Sequence, residues 1–394
     1  ENSMLAIARC LVSRGHRVSV FTTVADDLES LWLPGHKTFP AEEFVFDGVQ
    51  VRRFPICYRK WRRRATRLAG MVPNWRWKAQ FWRPGFRVPG LDEALRESGA
   101  DVFHIGPLPY NNLMYTGLQA AEHLGVPLIC TPCLHLGEPG SDAVVRHYLQ
   151  AHQLELLRRC NRVLCMADVE REHLERTGVL PDRLRTIGHG IDLQQATGGD
   201  GERIRARYNI DGPVVLHLGV KAYEKGSMTL VEAMKMLWAR GSQAWLVMAG
   251  PSLSEFDEFL SGQPEPLPKL VNLPAFSDED KRDLLAVATV VAQPSRVESL
   301  GLVLIEAWAN ARPVIAADIA VSRKLVEESE AGVVALFGES AALAKELERL
   351  LGDPALCEEM GSNGRKAAAA YDGRLLWPLH ADLFERVASG HGGF

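Results

Sequence analysis

Two glutamates lie on either side of a glycine in a stretch between two apolar runs. Glu298 and Glu306 follow the apolar run 288–292, which ends at Pro294 and is predicted to be a strand that leads into a helix. In an open α/β sheet, ligands bind where strands give way to helix N-termini. Backbone N–H groups at such a junction can hold a phosphate. The candidate N–H groups follow Ser299 and belong to Leu300, Gly301 and Leu302.

The two carboxylates would repel a phosphate, so they are better suited to accept hydrogen bonds from hydroxyl groups. A ligand with phosphates in its middle and hydroxyls at both ends is a nucleotide-sugar. The same pattern also fits an ordinary strand-to-helix turn with surface glutamates. Spacing alone does not separate these two interpretations.

A second predicted strand-to-helix turn carries positive charge. The apolar strand predicted over 214–218 runs into a loop that contains Gly219, Lys221 and Lys225. A lysine beside a glycine at such a turn suits a diphosphate, although a solvated lysine fits equally well. The next predicted strand ends in the same way, at Gly250.

One histidine lies just beyond a predicted strand in the first half of the chain. His135 follows the strand predicted over 128–130. A histidine at the carboxyl end of a strand can touch a ligand, whereas a lone histidine is more often structural. Both interpretations of His135 stay open on the sequence pattern alone.

Strands and helices alternate along most of the chain, which predicts an α/β fold with largely parallel sheets. A polar, glycine-containing segment near 193–211 interrupts the alternation and predicts a linker. We therefore expect two Rossmann-like doubly wound domains, 1–195 and 196–375, that face each other across a cleft. The remaining residues, 376–394, are predicted to form a helix that packs back toward the N-terminal domain. Because a helix over 4–13 comes first, we expect a strand and a loop to have preceded it.

The amino-acid composition limits the class of protein to which the chain can belong. The 394 residues are 46% hydrophobic and 24% charged with a net charge of −4, as in a globular protein of about two domains. Seven irregularly spaced cysteines favour a reducing compartment over a disulfide framework. No apolar run approaches the ~20 residues of a membrane-spanning helix, and no signal peptide is recognised, so we expect a cytoplasmic protein.

A block of positive charge departs from this average. Between Gly48 and Leu91 there are twelve basic residues and no acidic one, interleaved with tryptophans. Such a block suits an anionic membrane surface or a lipid-linked acceptor, single-stranded nucleic acid, or a solvated loop whose tryptophans pack on their own domain. We predict the membrane or acceptor side, without nucleic acid, with the contact centred on Trp61, Arg62, Arg63 and Arg64.

The ordered motifs resemble one known family. The pattern P-S-x-x-E-[SG]-x-G-x-x-x-x-E-A over 294–307 resembles the E-x7-E signature of the retaining GT-B glycosyltransferases of family 4. The resemblance spans almost the whole chain, since further motifs follow in the family's order and spacing. They are Arg14 to Val18, Asp101 to His104, Thr131 to His135, Gly188 to Asp192, Lys225-Gly226 and Pro313-Val314.

The resemblance implies a GT-B fold and transfer of a sugar, with retention, from a UDP- or GDP-sugar to a glycan or lipid-linked acceptor of the cell envelope. It implies that Glu306 binds the ribose, that Glu298 binds the donor sugar, and that Lys225 neutralises the diphosphate. The N–H groups after Ser299 would hold the same phosphates, and His135 would lie near the donor sugar. No metal or other cofactor is implied.

The sequence departs from the family at one position that bears on activity. Val220 stands where the family usually has an arginine, and Lys221 is adjacent to it. Because a lysine cannot give two-point recognition, the alternative is a catalytically impaired homologue that binds a sugar nucleotide. A different GT-B enzyme, such as an epimerase or a phosphorylase, is the other alternative.

Overall fold

The structure is a computed structural model that describes residues 2–26, 29–31, 34–58, 86–264 and 267–390. The chain divides into two compact units. Unit 1 comprises Glu1–Leu134, Val145–Gly188 and Leu376–Phe394, and unit 2 comprises His135–Val144 and His189–Leu375. The ten-residue segment His135–Val144 thus belongs to unit 2, although the chain on both sides of it belongs to unit 1.

Unit 1 is an α/β unit. Its described strands are β1 (Ser19–Thr23), β2 (Glu43–Phe46), β3 (Val49–Phe54), β4 (Cys57–Tyr58), β5 (Phe86–Arg87), β6 (Phe103–Ile105), β7 (Leu128–Cys130), β8 (Arg162–Cys165) and β9 (Leu184–Thr186). The sheet β6-β7-β8-β9 is wholly parallel. In the sheet β1-β3-β2, β3 pairs parallel with β1 and antiparallel with β2, and β4 pairs antiparallel with β5.

Helices separate the described strands from β5 to β9. The described helices of unit 1 are α1 (Asn2–Ser13), α2 (Leu91–Glu97), α3 (Asn111–Leu124), α4 (Val145–Tyr148), α5 (Ala151–Arg159) and α6 (Asp168–Arg176). Short 3-10 turns lie at Glu29–Leu31 and Pro181–Arg183.

Two of these helices, α4 and α5, follow each other and are separated by Leu149 and Gln150. Gln150 starts α5, because its backbone N–H donates to the side chain of Gln153 at 2.7 Å and that contact closes a capping box.

Unit 2 contains a six-stranded parallel sheet in the order β12-β11-β10-β13-β14-β15. The strands are β10 (Val214–Leu218), β11 (Trp245–Ala249), β12 (Leu270–Leu273), β13 (Val290–Gln293), β14 (Val314–Ala317) and β15 (Gly332–Ala335). β10, β13 and β14 are buried along their whole length, as in parallel sheets covered on both faces. The strand order reverses between β10 and β13, and this is the switch point at which open α/β sheets bind ligands.

The helices of unit 2 connect these strands. They are α7 (Leu193–Ala196), α8 (Gly201–Tyr208), α9 (Ser227–Ala239), α10 (Ser254–Ser261), α11 (Asp278–Val287), α12 (Leu302–Ala309), α13 (Ala320–Ser329), α14 (Ser340–Gly352) and α15 (Pro354–Ala368). A 3-10 turn at Ala369–Tyr371 leads to the last helix, α16 (Gly373–Ala388).

From Leu376 onward α16 belongs to unit 1. It completes two apolar clusters there, one with α1 and one with β7 and β8, through Ala381, Leu383 and Val387. Among the described residues, no helix is both long enough and apolar enough to cross a membrane.

Candidate active site

Two turns meet at the switch point of unit 2. The ends of β10 and β13 are joined by Gln293, whose side-chain N–H donates to Leu218 O at 2.7 Å. Gly226, with a φ of +69°, lies so close to the turn after β13 that an added Cβ would be 2.1 Å from Pro294 O. Only glycine tolerates that φ and that approach without strain. The neighbouring Lys225 is therefore held against the signature stretch.

Lys225 forms an ion pair with Glu298. Its Nζ lies 2.8 Å from Glu298 Oε1 and also donates to Val297 O at 3.0 Å. The two side chains are 27% and 16% exposed. Burial by itself would raise the pKa of Glu298, but the charge and hydrogen bond of Lys225, with a contribution from His135, hold this pKa below its ordinary value. Glu298 is thus a carboxylate at neutral pH.

His135 lies beside this pair, in the segment His135–Val144 of unit 2. Burial and then the charge of Lys225 lower the pKa of His135, whereas the carboxylate and backbone of Glu298 act in the opposite direction. The imidazole is therefore neutral at pH 7. The structure brings together the three residues that the sequence predicts to be catalytic.

The predicted phosphate-binding groups lie at the start of α12. Gly301, with a φ of +82°, precedes the helix and accepts the N–H of Leu304 at 2.9 Å. Ser299 and Leu300 form the turn before it, and Leu302 is the first helical residue. The N–H groups of a first turn carry the positive end of the helix dipole. α12 therefore begins with donors of the kind that bind anions.

Glu306 lies one turn into α12 and is paired with Lys281 of α11. Glu306 Oε1 accepts a hydrogen bond from Lys281 Nζ, and the side chains are 13% and 25% exposed. The sequence pattern does not single out Lys281, because it lies among the charged residues of an ordinary amphipathic helix. Its pairing with Glu306 joins two helices across 25 positions of the chain, which no local pattern specifies.

Gly219 and Gly250 lie together at the ends of β10 and β11. The N–H of Gly219 donates to Ala249 O at 2.8 Å, and an added Cβ on Gly250 would lie 2.1 Å from Gly219 O. The two turns are thus in direct backbone contact. A side chain at Gly250 would separate them.

Lys221 has other partners than the residues around Glu298. It is fully buried, and its Nζ donates to Asn272 Oδ1 at 2.5 Å and to Leu273 O at 3.0 Å. Burial lowers the pKa of Lys221 to about 8. Its ammonium supports the end of β12, and these contacts do not favour it as a replacement for the arginine that the family has at position 220. Trp61, Arg62, Arg63 and Arg64 lie outside the described residues.

Two family models match the chain one after the other. The Glycosyl transferase 4-like domain matches residues 1–190, and Glycosyl transferases group 1 matches residues 200–367. Together they cover most of both units, including the Lys225 and Glu298 turns.

Curated relatives carry glycosyltransferase names. Alpha-D-kanosaminyltransferase of Streptomyces kanamyceticus is 31% identical over 223 residues, which are 54% of this chain and 57% of the relative. D-inositol 3-phosphate glycosyltransferase of Acidothermus cellulolyticus is 28% identical over 94% of this chain and 81% of its own. A second D-inositol 3-phosphate glycosyltransferase, of Catenulispora acidiphila, is matched over 65% of its length. The chain thus spans about six tenths of the first and third of these relatives.

Solved structures share the fold. Sucrose-phosphate synthase from Thermosynechococcus elongatus has a TM-score of 0.72 and 21% identity, covering 98% of this chain and 92% of its own. HepE from Anabaena, solved with UDP and glucose, has a TM-score of 0.70 and 18% identity over 98% and 95%. The chain therefore belongs to the group 1 family of glycosyltransferases, and its fold is GT-B.

Proposed function

We propose that the protein transfers a sugar, with retention of anomeric configuration, from a UDP- or GDP-sugar to a glycan or lipid-linked acceptor. The observation that supports this proposal best is the cluster of Lys225, Glu298 and His135 at the switch point of unit 2. A cation, a carboxylate and a neutral imidazole lie there beside the helix start that precedes Glu306. HepE has been solved with UDP-glucose, which supports a nucleotide-sugar as the donor class.

In this proposal each end of the donor has its own partner. Glu306 accepts hydrogen bonds from the two ribose hydroxyls, a charge-assisted pairing that suits vicinal diols. Glu298 binds hydroxyls of the sugar. The N–H groups at the start of α12 and the ammonium of Lys225 hold the diphosphate.

The chemical step then depends mainly on electrostatics. Charge develops on the diphosphate as the glycosidic bond breaks, and Lys225 stabilises that charge. The acceptor hydroxyl attacks on the face from which the diphosphate leaves, and a phosphate oxygen takes its proton. Retaining glycosidases differ, because they hold two carboxyl groups ~5 Å apart around the bond. Lysine and backbone N–H groups supply the positive charge, so we propose a mechanism without a metal ion or other cofactor.

The donor assignment is tested with Glu306→Ala in the intact protein. Thermal stabilisation by UDP-, GDP- and ADP-sugars first identifies the nucleotide. Calorimetry then measures the affinity of the matching nucleoside diphosphate. Loss of two hydrogen bonds to a carboxylate should weaken binding roughly 10- to 100-fold, with Glu306→Gln intermediate.

Glu202→Ala is the matched control, because Glu202 lies in the same unit with its side chain 85% exposed. Its affinity should equal that of the wild type. Unchanged affinity in Glu306→Ala would contradict the donor site.

The acceptor is proposed from sequence. The basic and aromatic stretch within 49–90 favours an acceptor or carrier with negative charge, at an anionic membrane surface. We therefore propose peripheral contact with the inner face of the membrane and a role in building a cell-envelope glycan.

Val220 favours a second candidate function. Without an arginine at this position the chain resembles a homologue that binds a sugar nucleotide and transfers sugar poorly. Release of sugar from the identified donor, with and without acceptor, separates the two. Binding without turnover would favour the second candidate.

A further inference from the structure

Arg296 lies inside the signature stretch, two residues before Glu298, and its side chain reaches another part of unit 2. Its Nε is 3.0 Å from Glu138 Oε1, and its Nη2 donates to Glu138 Oε2 at 3.2 Å. The pair therefore consists of one charge-assisted hydrogen bond, from Nη2, and a close approach of Nε to the same carboxylate. The side chains are only 21% and 26% exposed, so solvent screens the pair weakly.

Further contacts hold the guanidinium in place. Its Nε lies 3.5 Å from Glu224 Oε2, and its central carbon lies 4.9 Å from the centre of the Phe337 ring. The backbone of Arg296 is attached independently, because its N–H donates to Glu224 O at 3.0 Å. A substitution of the side chain therefore leaves the turn after β13 tied to the Lys225 loop.

Glu138 belongs to the segment that carries His135. This segment, His135–Val144, groups with unit 2, while its flanks group with unit 1. It is also tied to α13 by Gly137 O, which accepts the N–H of Ala320 at 3.1 Å. Only two residues separate Glu138 from His135. Whatever holds Glu138 therefore limits where the imidazole of His135 can lie.

We propose that Arg296 is a positioning residue that, through Glu138, holds the segment His135–Val144 and thereby keeps His135 beside Lys225 and Glu298. Arg296 itself touches none of the donor groups assigned above. It joins the signature turn to the one histidine segment on which the cluster depends. The effect of this contact on sugar transfer rests on the proposed function. Its effect on the position of the segment His135–Val144 does not.

Hydrogen exchange measures directly how firmly the segment His135–Val144 is attached. In Arg296→Gln and in Glu138→Gln, the amides of 135–144 should exchange about tenfold faster than in the wild type, because one strong attachment of the segment is gone. The double variant should match the single ones, since both changes break the same contact. Arg203→Gln is the control: Arg203 forms an ion pair with Asp283 elsewhere in unit 2, through its Nε and Nη2. Unchanged exchange in both single variants would overturn the proposal.

Kinetics measure the consequence for catalysis. With the donor identified as above, Arg296→Gln and Glu138→Gln should lower kcat about 100-fold, a loss typical of a misplaced group. The affinity for the free nucleoside diphosphate should stay within about twofold. Arg296→Lys keeps the charge without the planar guanidinium and should recover part of the rate.

The positioning role of Arg296 and the proposed function can be overturned separately. If kcat and nucleotide affinity fall together while exchange of 135–144 is unchanged, Arg296 acts on the donor and the positioning role is overturned. If the wild-type protein transfers no sugar, the proposed function fails, and hydrogen exchange alone then confirms or overturns the attachment of the segment.

Discussion

Lys225 illustrates how much depends on one side chain in this site. Its ammonium has a carboxylate and a backbone carbonyl as acceptors, at 2.8 Å and 3.0 Å. Burial and then this charge lower the pKa of His135, and the charge and hydrogen bond of Lys225 outweigh burial in lowering the pKa of Glu298. Lys225 therefore favours the ionised form of Glu298 and the neutral form of His135, in addition to the role proposed for it on the diphosphate.

Lys225→Gln should lower kcat by roughly 10²- to 10³-fold, as does the removal of one preorganised group from a site of developing charge. Donor affinity should fall less, because the N–H groups at the start of α12 remain. Single-turnover transfer gives the rate, and calorimetry gives the affinity. Lys235→Gln is the matched control, since Lys235 pairs with Glu232 on the same unit, away from the turn. A rate within threefold of the wild type would exclude Lys225 from the chemical step.

At the scale of elements, the site depends on two turns rather than on any helix or strand alone. β10 and β13 are neighbours in the sheet, although the two turns are about seventy residues apart in sequence. α12 begins only after the left-handed residue Gly301, a backbone conformation that glycine adopts without strain. The predicted acceptor side, Trp61, Arg62, Arg63 and Arg64, lies outside the described residues.

That segment gives a prediction of its own. The intact protein should co-sediment at low salt with vesicles of phosphatidylcholine and phosphatidylglycerol, and less so as salt rises. Replacing Arg62, Arg63 and Arg64 together by glutamine should weaken binding about 100-fold, since each cation near the surface contributes about 1 kcal/mol. Vesicles of phosphatidylcholine alone serve as the control. No co-sedimentation at low salt would favour a soluble acceptor.

At the scale of the whole molecule, each unit buries a neutral histidine. Burial lowers the pKa of His152 in unit 1 and of His217 in unit 2 to about 4. His217 Nδ1 lies 3.1 Å from Ala292 O, and its Nε2 lies 3.2 Å from Ser227 Oγ. It thus links β10 to β13 and to the start of α9, within the core beneath the two turns.

These histidines should make stability fall on acidification. The folded pKa of about 4 lies below the ordinary value of 6.5, so the unfolded state binds the proton first. The stability is present above pH 6.5 and is lost as the pH falls toward 4. For His217 the loss between about pH 8 and pH 5 is on the order of 2 kcal/mol.

Urea unfolding at both pH values measures this loss. His217→Gln should reduce it by a similar amount, and His123→Gln, an exposed control, should not. Glu170 opposes the trend, because burial raises its pKa to about 7 and it stabilises the fold at low pH. An equal pH dependence in His217→Gln and wild type would contradict the assignment.

Much of the site could be predicted from sequence because its signals are local. Apolar runs ended by glycine or proline predicted the strands and turns around Gly219, Gly250 and Pro294. The family resemblance implied that Lys225, Glu298 and His135 act together, and the structure places them together. Lys281 and Arg296 were missed, because their partners lie 25 and 158 residues away in the chain.

By itself, then, the sequence determined the α/β class, the strand-turn-helix around Glu298 and Glu306, and the family. Only the tertiary structure decided that β10 lies beside β13, that His135–Val144 groups with unit 2, and that Lys221 is buried under β12. The physical reason is the distance along the chain over which each kind of interaction acts. Periodicity and turn chemistry act over a few residues, whereas the choice of neighbours in a sheet, and of partners for a buried charge, is made by the packing of the whole unit.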